Sequence, residues 1–149
     1  MTQLSAAISL RDCKVEISTN GTTWTDISGA ASSVEVGGGD RQTGEVYTFD
    51  GDTALITFGK REPLEITVKT VYTEGTSEAY ETVRAAYEAG TSLYIRWSPR
   101  GGSAGNFQFA TDAGVVTGAV YPVGEAGSGD PVVVGFTVKT PKVTKSVVA

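Results

Sequence analysis

"PLEITVKTVYT", residues 63–73, decides the fold class because its alternation is unbroken. Leu64, Ile66 and Val68 fall on one face, and Glu65, Thr67 and Lys69 on the other. A period of two puts one face on a core and the other in water, which makes this a half-buried β-strand. The next stretch changes period. In "TSEAYETVRAAYEAG", residues 76–90, Tyr80, Val83 and Tyr87 recur at helical spacing, Thr76 or Ser77 can cap the start, Glu78 favours the first turn, and Gly90 can close the end. Burial would contribute roughly 1.5–3 kcal/mol for each of those three side chains, so they form the stripe that docks the helix on a sheet. Glu81, Arg84 and Glu88 form its solvated face.

Strand patterns surround this pair. "SLYIRWSP", residues 92–99, sets Leu93, Ile95 and Trp97 against Tyr94 and Arg96. "NFQFATDAGVVTGAVYPVG", residues 106–124, supplies one or two strands with Phe107 and Phe109 on a common face, and Gly118 permits a bend. In "PVVVGFTVKT", residues 131–140, Val132, Val134, Phe136 and Val138 alternate with Val133, Thr137 and Lys139 before Pro141 stops the run. "VEISTNGTTWTDISG", residues 15–29, reads as a hairpin. Asn20-Gly21 is the pair favoured by a two-residue type I′ turn, which sets Ile17 opposite Trp24. Ile27 then lies either past the strand end or back in the core through a bulge. The pattern predicts a mainly β chain: a β-sandwich of two packed antiparallel sheets with one flanking α-helix, as a single domain over residues 1–149.

One segment fits neither face of a sandwich. "SSVEVGGGDRQTGEVYTFDGDTALITFGKREP", residues 32–63, opens as a strand, breaks at Gly37 to Gly39 and runs on through a second turn signal at Asp50-Gly51. Tyr47 and Phe49 lie on one face, Val46 and Leu55 on the other. An arm apolar on both sides either enters a core or meets a partner.

Composition narrows the function classes. At 149 residues, with 40% hydrophobic residues, 19% charged and 19 glycines, the chain suits one β-rich domain with many turns. Cys13 is its one cysteine, so no internal disulfide framework forms. A secretory leader pattern and a membrane-length apolar run are both missing, and the chain reads as soluble and made in the cytosol. It contains no histidine, which removes the commonest general base and most zinc chemistry. Its net charge of −5 and pI near 4.7 argue against a basic nucleic-acid surface.

The remaining motifs carry no chemistry. "GGGDRQTG" lacks the Gly-Lys-Ser/Thr ending of a phosphate loop and precedes no helix. "DGD" at 50–52 is explained by a hairpin turn as well as by a cation. No two carboxylates stand out as a glycosidase pair. We expect no catalysis, no cofactor and no metal.

The succession "EISTNGTTWTDISG", "GDTALITFGKREPLEITVKTVYTEG", "AYETVRAAYEAGTSLYIRWSPRGGSAGNFQF" and "GFTVKTPKV" resembles the major tail tube proteins of long-tailed, non-contractile bacteriophages. The resemblance implies a sandwich with a flanking helix, assembled into hexameric rings that stack into a tube for genome delivery. It implies a virion location after synthesis in the host bacterial cytoplasm. The implied partners are further copies of the chain and the tape-measure, tail-tip and terminator proteins, with DNA passing through unbound and no membrane insertion.

By the same resemblance, residues 37–60 are a long assembly loop reaching a neighbour through Asp40, Arg41, Gln42, Tyr47, Phe49 and Leu55. Residues 1–10 and 142–149 are arms that order on assembly. Asp40, Asp50, Asp52, Glu62 and Glu65 are candidate acids of the lumen, where they would repel DNA phosphates, and each is equally readable as an ordinary solvated acid. Lys139, Lys142 and Lys145 are candidate contacts of the C-terminal arm. The competing class is a monomeric immunoglobulin-like or carbohydrate-binding sandwich on a larger particle, with Trp24, Trp97 and tyrosines as a sugar platform. The apolar phase of both tryptophans argues for the core instead.

Overall fold

A computed structural model of the chain describes residues 2–76, 78–118 and 120–149. The fold is mainly β. In chain order the elements are β1 (Lys14–Ser18), β2 (Thr25–Asp26), β3 (Ala31–Gly38), β4 (Arg41–Val46), β5 (Leu55–Arg61), β6 (Leu64–Val71), α1 (Ala79–Ala89), β7 (Ser92–Ser98), β8 (Phe107–Thr111), β9 (Gly114–Thr117), β10 (Val133–Thr140) and β11 (Val143–Val147). Every pairing is antiparallel. One layer runs β3-β6-β10-β9 and the other joins β2, β1, β7, β8 and β11.

The two layers are continuous. Ser92 and Leu93 at the start of β7 pair with Val115 and Gly114 of β9, whereas Tyr94 to Ser98 pair with β1. One nine-stranded sheet therefore folds on itself through β7, with β4 and β5 apart as a two-stranded sheet.

The alternation read from the sequence fills the space between the layers. Ile66 and Val68 of β6, Val134, Phe136 and Val138 of β10, Val15 and Ile17 of β1, and Leu93, Ile95 and Trp97 of β7 form one buried cluster. Glu65 and Lys69, in the opposite phase of β6, are exposed. Helix α1 joins the cluster through Ala79, Val83 and Ala86. Small residues let the helix approach closely, so Tyr80 and Tyr87 lie half-buried at its rim, edge-on to Tyr72 and Tyr121. Glu78, not Thr76, occupies the cap position and makes no side-chain cap bond; Ser77 lies outside the described residues. Gly90, in the left-handed conformation, closes the helix with its N–H on the Ala86 carbonyl.

The first hairpin is wider than a type I′ turn. No described residue other than glycine has positive φ, so Asn20 does not adopt the turn conformation. Its side-chain Oδ1 instead accepts from the N–H groups of Thr22 (2.9 Å) and Thr23 (2.8 Å) and from the Ser18 hydroxyl (3.0 Å). This local bonding competes with the tight turn and shifts the register, so that Ile17 faces Thr25 rather than Trp24. The open question over Ile27 is also answered: β2 ends at Asp26, and Ile27 is buried with its N–H on the Val15 carbonyl at 2.8 Å.

Asp26 makes the following turn. Its carboxylate accepts from the Ser28 hydroxyl (2.6 Å) and N–H (2.8 Å), and the hydroxyl bond chiefly holds its pKa below the ordinary carboxylate value. A pKa depressed by folding contributes stability that is complete above the unfolded pKa and is lost as pH falls through the folded one. Asp26→Asn is therefore expected to lower the melting temperature slightly at neutral pH and to flatten its acid limb, so that the difference from the parent closes as pH falls from neutral to below about 4. Thermal melts across that range check this.

The C-terminal segment is not a free arm within the chain. Val143 to Val147 pair residue for residue with Thr111 to Phe107 as β11, at one edge of the sheet. Residues 2–9, by contrast, carry no helix or strand and are exposed.

Candidate assembly surface

Strand β3 leads into β4 and β5 returns into β6, so that β4 and β5 continue the β3–β6 pair as a ribbon. At its base Gly38 and Gly39 have φ of 71° and 77°. A Cβ on Gly38 would sit 2.5 Å from the Pro63 carbonyl oxygen, and one on Gly39 would sit 2.7 Å from Leu64 Cδ2. Only glycine fits this corner. Across it the Gly39 N–H donates to the Pro63 carbonyl (3.1 Å) and the Glu62 N–H to the Asp40 carbonyl (2.8 Å). Beyond the corner β4 and β5 pair with each other alone.

The segment expected as a loop over 37–60 is thus the end of β3, the Gly39-Asp40 corner and a β-hairpin whose strands are joined by residues 47–54. That eight-residue connection replaces the tight turn read at Asp50-Gly51. Register places Val46 opposite Leu55 on one face, and Glu45 opposite Ile56 and Thr43 opposite Phe58 on the other. Val46, Tyr47, Phe49, Leu55, Ile56 and Phe58 are each more than half exposed. Both faces therefore show large apolar side chains to solvent, and an isolated two-stranded hairpin is at best marginally stable in water.

The polar site candidates divide between the base and tip of this ribbon. Asp40 flanks the corner; Arg41 faces Arg61 with its guanidinium 5.0 Å above the Phe58 ring; Gln42 lies in the register shift after Arg41. Tyr47, Phe49, Asp50 and Asp52 belong to the tip. Glu62 is at the base, and Glu65 is placed in β6 between Gly37 and Lys139. Six or seven strand residues at ~3.4 Å each separate tip from base by about 20 Å. The Asp40 carbonyl accepts from the Glu62 N–H across the corner, Glu65 lies further along β6, and Asp50 and Asp52 are carried out to the tip connection, so the five acids do not form one cluster. No group of three or more metal-ligating side chains occurs among the described residues.

The lysines are also dispersed. Lys139 is a mid-sheet residue of β10 with Glu65 on one side and Val115 on the other, not part of an arm. Lys142 lies in the short link to β11, where its carbonyl accepts from the Asp112 N–H (3.2 Å) and the Thr140 hydroxyl (3.2 Å). Lys145 is on β11 and holds its ammonium 3.8 Å from the centre of the Phe107 ring.

Trp24 corrects the expectation that both tryptophans are core. Trp97 is buried and stacks on Phe109 with ring centres 5.7 Å apart. Trp24 is only half-buried, because the register shift moves it off the apolar phase. The Arg96 guanidinium covers one of its faces at 4.3 Å. Arg96 is itself clamped on Glu16 through two bonds of 3.1 Å and 3.0 Å, so this face is occupied by the chain's own ion pair and closed to a stacking sugar. Nothing in the one-dimensional pattern signalled either the Glu16–Arg96 pair or the clamp on Trp24, which depend on the β1–β7 register.

No protein-family model matches the sequence, and no curated protein matches it. Solved structures do match. The chain is similar to one in the sheath-tube complex of an extracellular contractile injection system in its extended state, with a TM-score of 0.67, 15% identity, and coverage of 97% of this chain and 95% of that one. It is similar to a chain from the tail of an empty GTA particle with C6 symmetry, with a TM-score of 0.68, 11% identity, and coverage of 96% and 100%. It also matches a chain of the anti-feeding prophage cap, described as a tube-terminating cap, with a TM-score of 0.66, 17% identity, and coverage of 99% and 95%. The class that this defines is one of fold: a tail-tube-like β-sandwich, found in tube and tail components of phage-tail-like particles.

Proposed function

We propose that the chain is a structural subunit of a tail tube: six copies close a ring, rings stack, and the tube forms a channel for DNA. One observation carries the reading. The ribbon of β4 and β5 is apolar on both faces, pairs with no other strand among the described residues and buries none of its strand residues, which suits a segment buried only between copies. The fold shared with components of tubes and tails, one of them six-fold symmetric, supports it. Six copies at −5 each would put about −30 on a ring, so that phosphates slide past instead of binding.

The proposal extends to a place in the virion tail and to tape-measure, tail-tip and terminator partners. It extends also to the non-contractile type, which rests on the sequence patterns; a structural neighbour belongs to a contractile system. A second protein layer around tubes isolated from assembled particles would overturn that finer part.

Negative-stain electron microscopy of the purified chain across a concentration series tests the proposal, and hollow tubes or stacked rings are expected. Monomers persisting at every concentration, with hits on a glycan array, would favour the binding-module reading. The Arg96 clamp on Trp24 argues against it.

A further inference from the structure

Two dipeptides that read as turn signals also carry a covalent chemistry. Asn20-Gly21 is the chain's one Asn-Gly pair, and Asp50-Gly51 its one Asp-Gly pair. In either pair the glycine nitrogen can bond to the preceding side-chain Cγ and close a five-membered succinimide, and glycine hinders the closure least because it has no Cβ. The nitrogen gives up its proton to solvent, and the side chain releases ammonia from asparagine or water from aspartic acid. Water then opens the ring at either carbonyl, leaving aspartate or isoaspartate. No oxidant or reductant takes part. In an unfolded chain the asparagine pair reacts faster, since an ionised carboxylate is a poor electrophile at neutral pH.

The fold treats the two pairs differently. Asn20 Oδ1 accepts from the Thr22 and Thr23 N–H groups and from the Ser18 hydroxyl. The attacking nitrogen is held as well: the Gly21 N–H donates to Ser18 Oγ at 2.8 Å, and the Asn20 N–H donates to the same oxygen at 3.2 Å. Ser18 is buried, and the Tyr94 ring lies so close over Gly21 that a Cβ there would sit 3.1 Å from it. Ring closure needs the Gly21 nitrogen free of its proton and Cγ turned onto it. That breaks the Gly21–Ser18 bond and withdraws Oδ1 from both threonine N–H groups. Losing three such bonds slows the closure by about ten- to a thousand-fold.

Asp50 and Gly51 meet no such restraint. Both are exposed in the 47–54 connection, which carries no helix or strand, and a Cβ on Gly51 would have no atom within 4 Å. Among the described residues, no backbone turn or loop bond involves either of them.

We infer that folding reverses the order of the two sites. Asp50 is the residue at which the native chain isomerises, through a succinimide on Gly51, and Asn20 is locked against deamidation by the Ser18 hydroxyl. The isoaspartyl product keeps its charge but adds one carbon to the backbone at the tip of the ribbon. This chemistry belongs to the single chain and does not depend on assembly.

The full-length chain, native in one sample and unfolded in guanidinium chloride in another, is incubated at mildly alkaline pH and followed by peptide mapping. Deamidation at Asn20 raises the peptide mass. Isoaspartate at 50 leaves the mass unchanged and is read by enzymatic methylation of isoaspartyl carboxylates. In the unfolded chain Asn20 should react first. In the native chain Asn20 should slow by at least about ten-fold, while Asp50 stays within about three-fold of its unfolded rate. Ser18→Ala should raise the native Asn20 rate about ten-fold and leave Asp50 unchanged. Asn20 deamidating in the native parent at its unfolded rate overturns the inference, as does a native chain that forms no isoaspartate at 50 when the unfolded chain does. Both readings come from the parent and need no variant to fold. A folded Ser18→Ala chain in which Asn20 stays as slow as in the parent would remove Ser18 from the lock.

Discussion

Replacing Leu55, Ile56 and Phe58 together by serine is expected to abolish tubes and to leave the fold intact. All three are exposed in the isolated chain, on a ribbon that pairs with no other strand. Exposed substitutions of this kind shift stability by about 0.5 kcal/mol or less, so the main thermal transition should hardly move. Assembly is another matter. If the ribbon is buried between copies, three large apolar side chains contribute about 5–9 kcal/mol per subunit, and their loss should raise the assembly concentration by at least ~10³-fold. Sedimentation and micrographs of variant and parent, with a melt of each, decide it. Tubes that persist at the parent's concentration would show that the ribbon is not an interface, and a collapse of the melt would show that it packs on its own body.

The same ribbon shows how far the sequence could be read. Val46 and Leu55 were assigned to one face from their phase alone, and the register agrees, because alternation is local and needs no partner. Strand β6, helix α1 and β10 were legible for that reason. What failed depended on side-chain bonding or on long-range pairing. Asn20 looked like a turn residue, but its Oδ1 holds two backbone N–H groups, lengthening the turn and moving Trp24 out of phase. The tail "KVTKSVVA" lacks an unbroken apolar alternation, since Lys145 falls between Val143 and Val147 on one face, and β11 exists because β8 offers it an edge. The acids followed the same rule: Asp40 and Glu62 are far apart in sequence but adjacent across the glycine corner, whereas Asp50 and Asp52 are carried to the tip. The continuity of the layers through β7 could not be seen at all, since Leu93 and Ile95 read as two residues of one face whichever strands they pair with.

That junction is where a core substitution should do most damage. Leu93 is fully buried, and its neighbour across the β7–β9 pairing is Gly114. Gly114 has no side chain because there is no room for one: a Cβ there would lie 2.3 Å from Val138 Cγ1 and 3.0 Å from the Lys139 carbonyl oxygen. Leu93→Ala would open a cavity that the directly paired residue cannot refill, between elements already fixed from both layers. Such truncations cost about 3–5 kcal/mol where the site collapses poorly, a large share of the stability of a domain this size. At about 3 °C per kcal/mol the melting temperature should fall by about 10–15 °C, measured calorimetrically or by circular dichroism. A fall of only a few degrees would mean that the layers close over the gap and that β7 is not the rigid link between them. Assembly separates this variant from the ribbon triple: Leu93→Ala leaves every exposed contact in place, so below its lowered melting point it should still build tubes. The ribbon variant, stable and well folded, should build none.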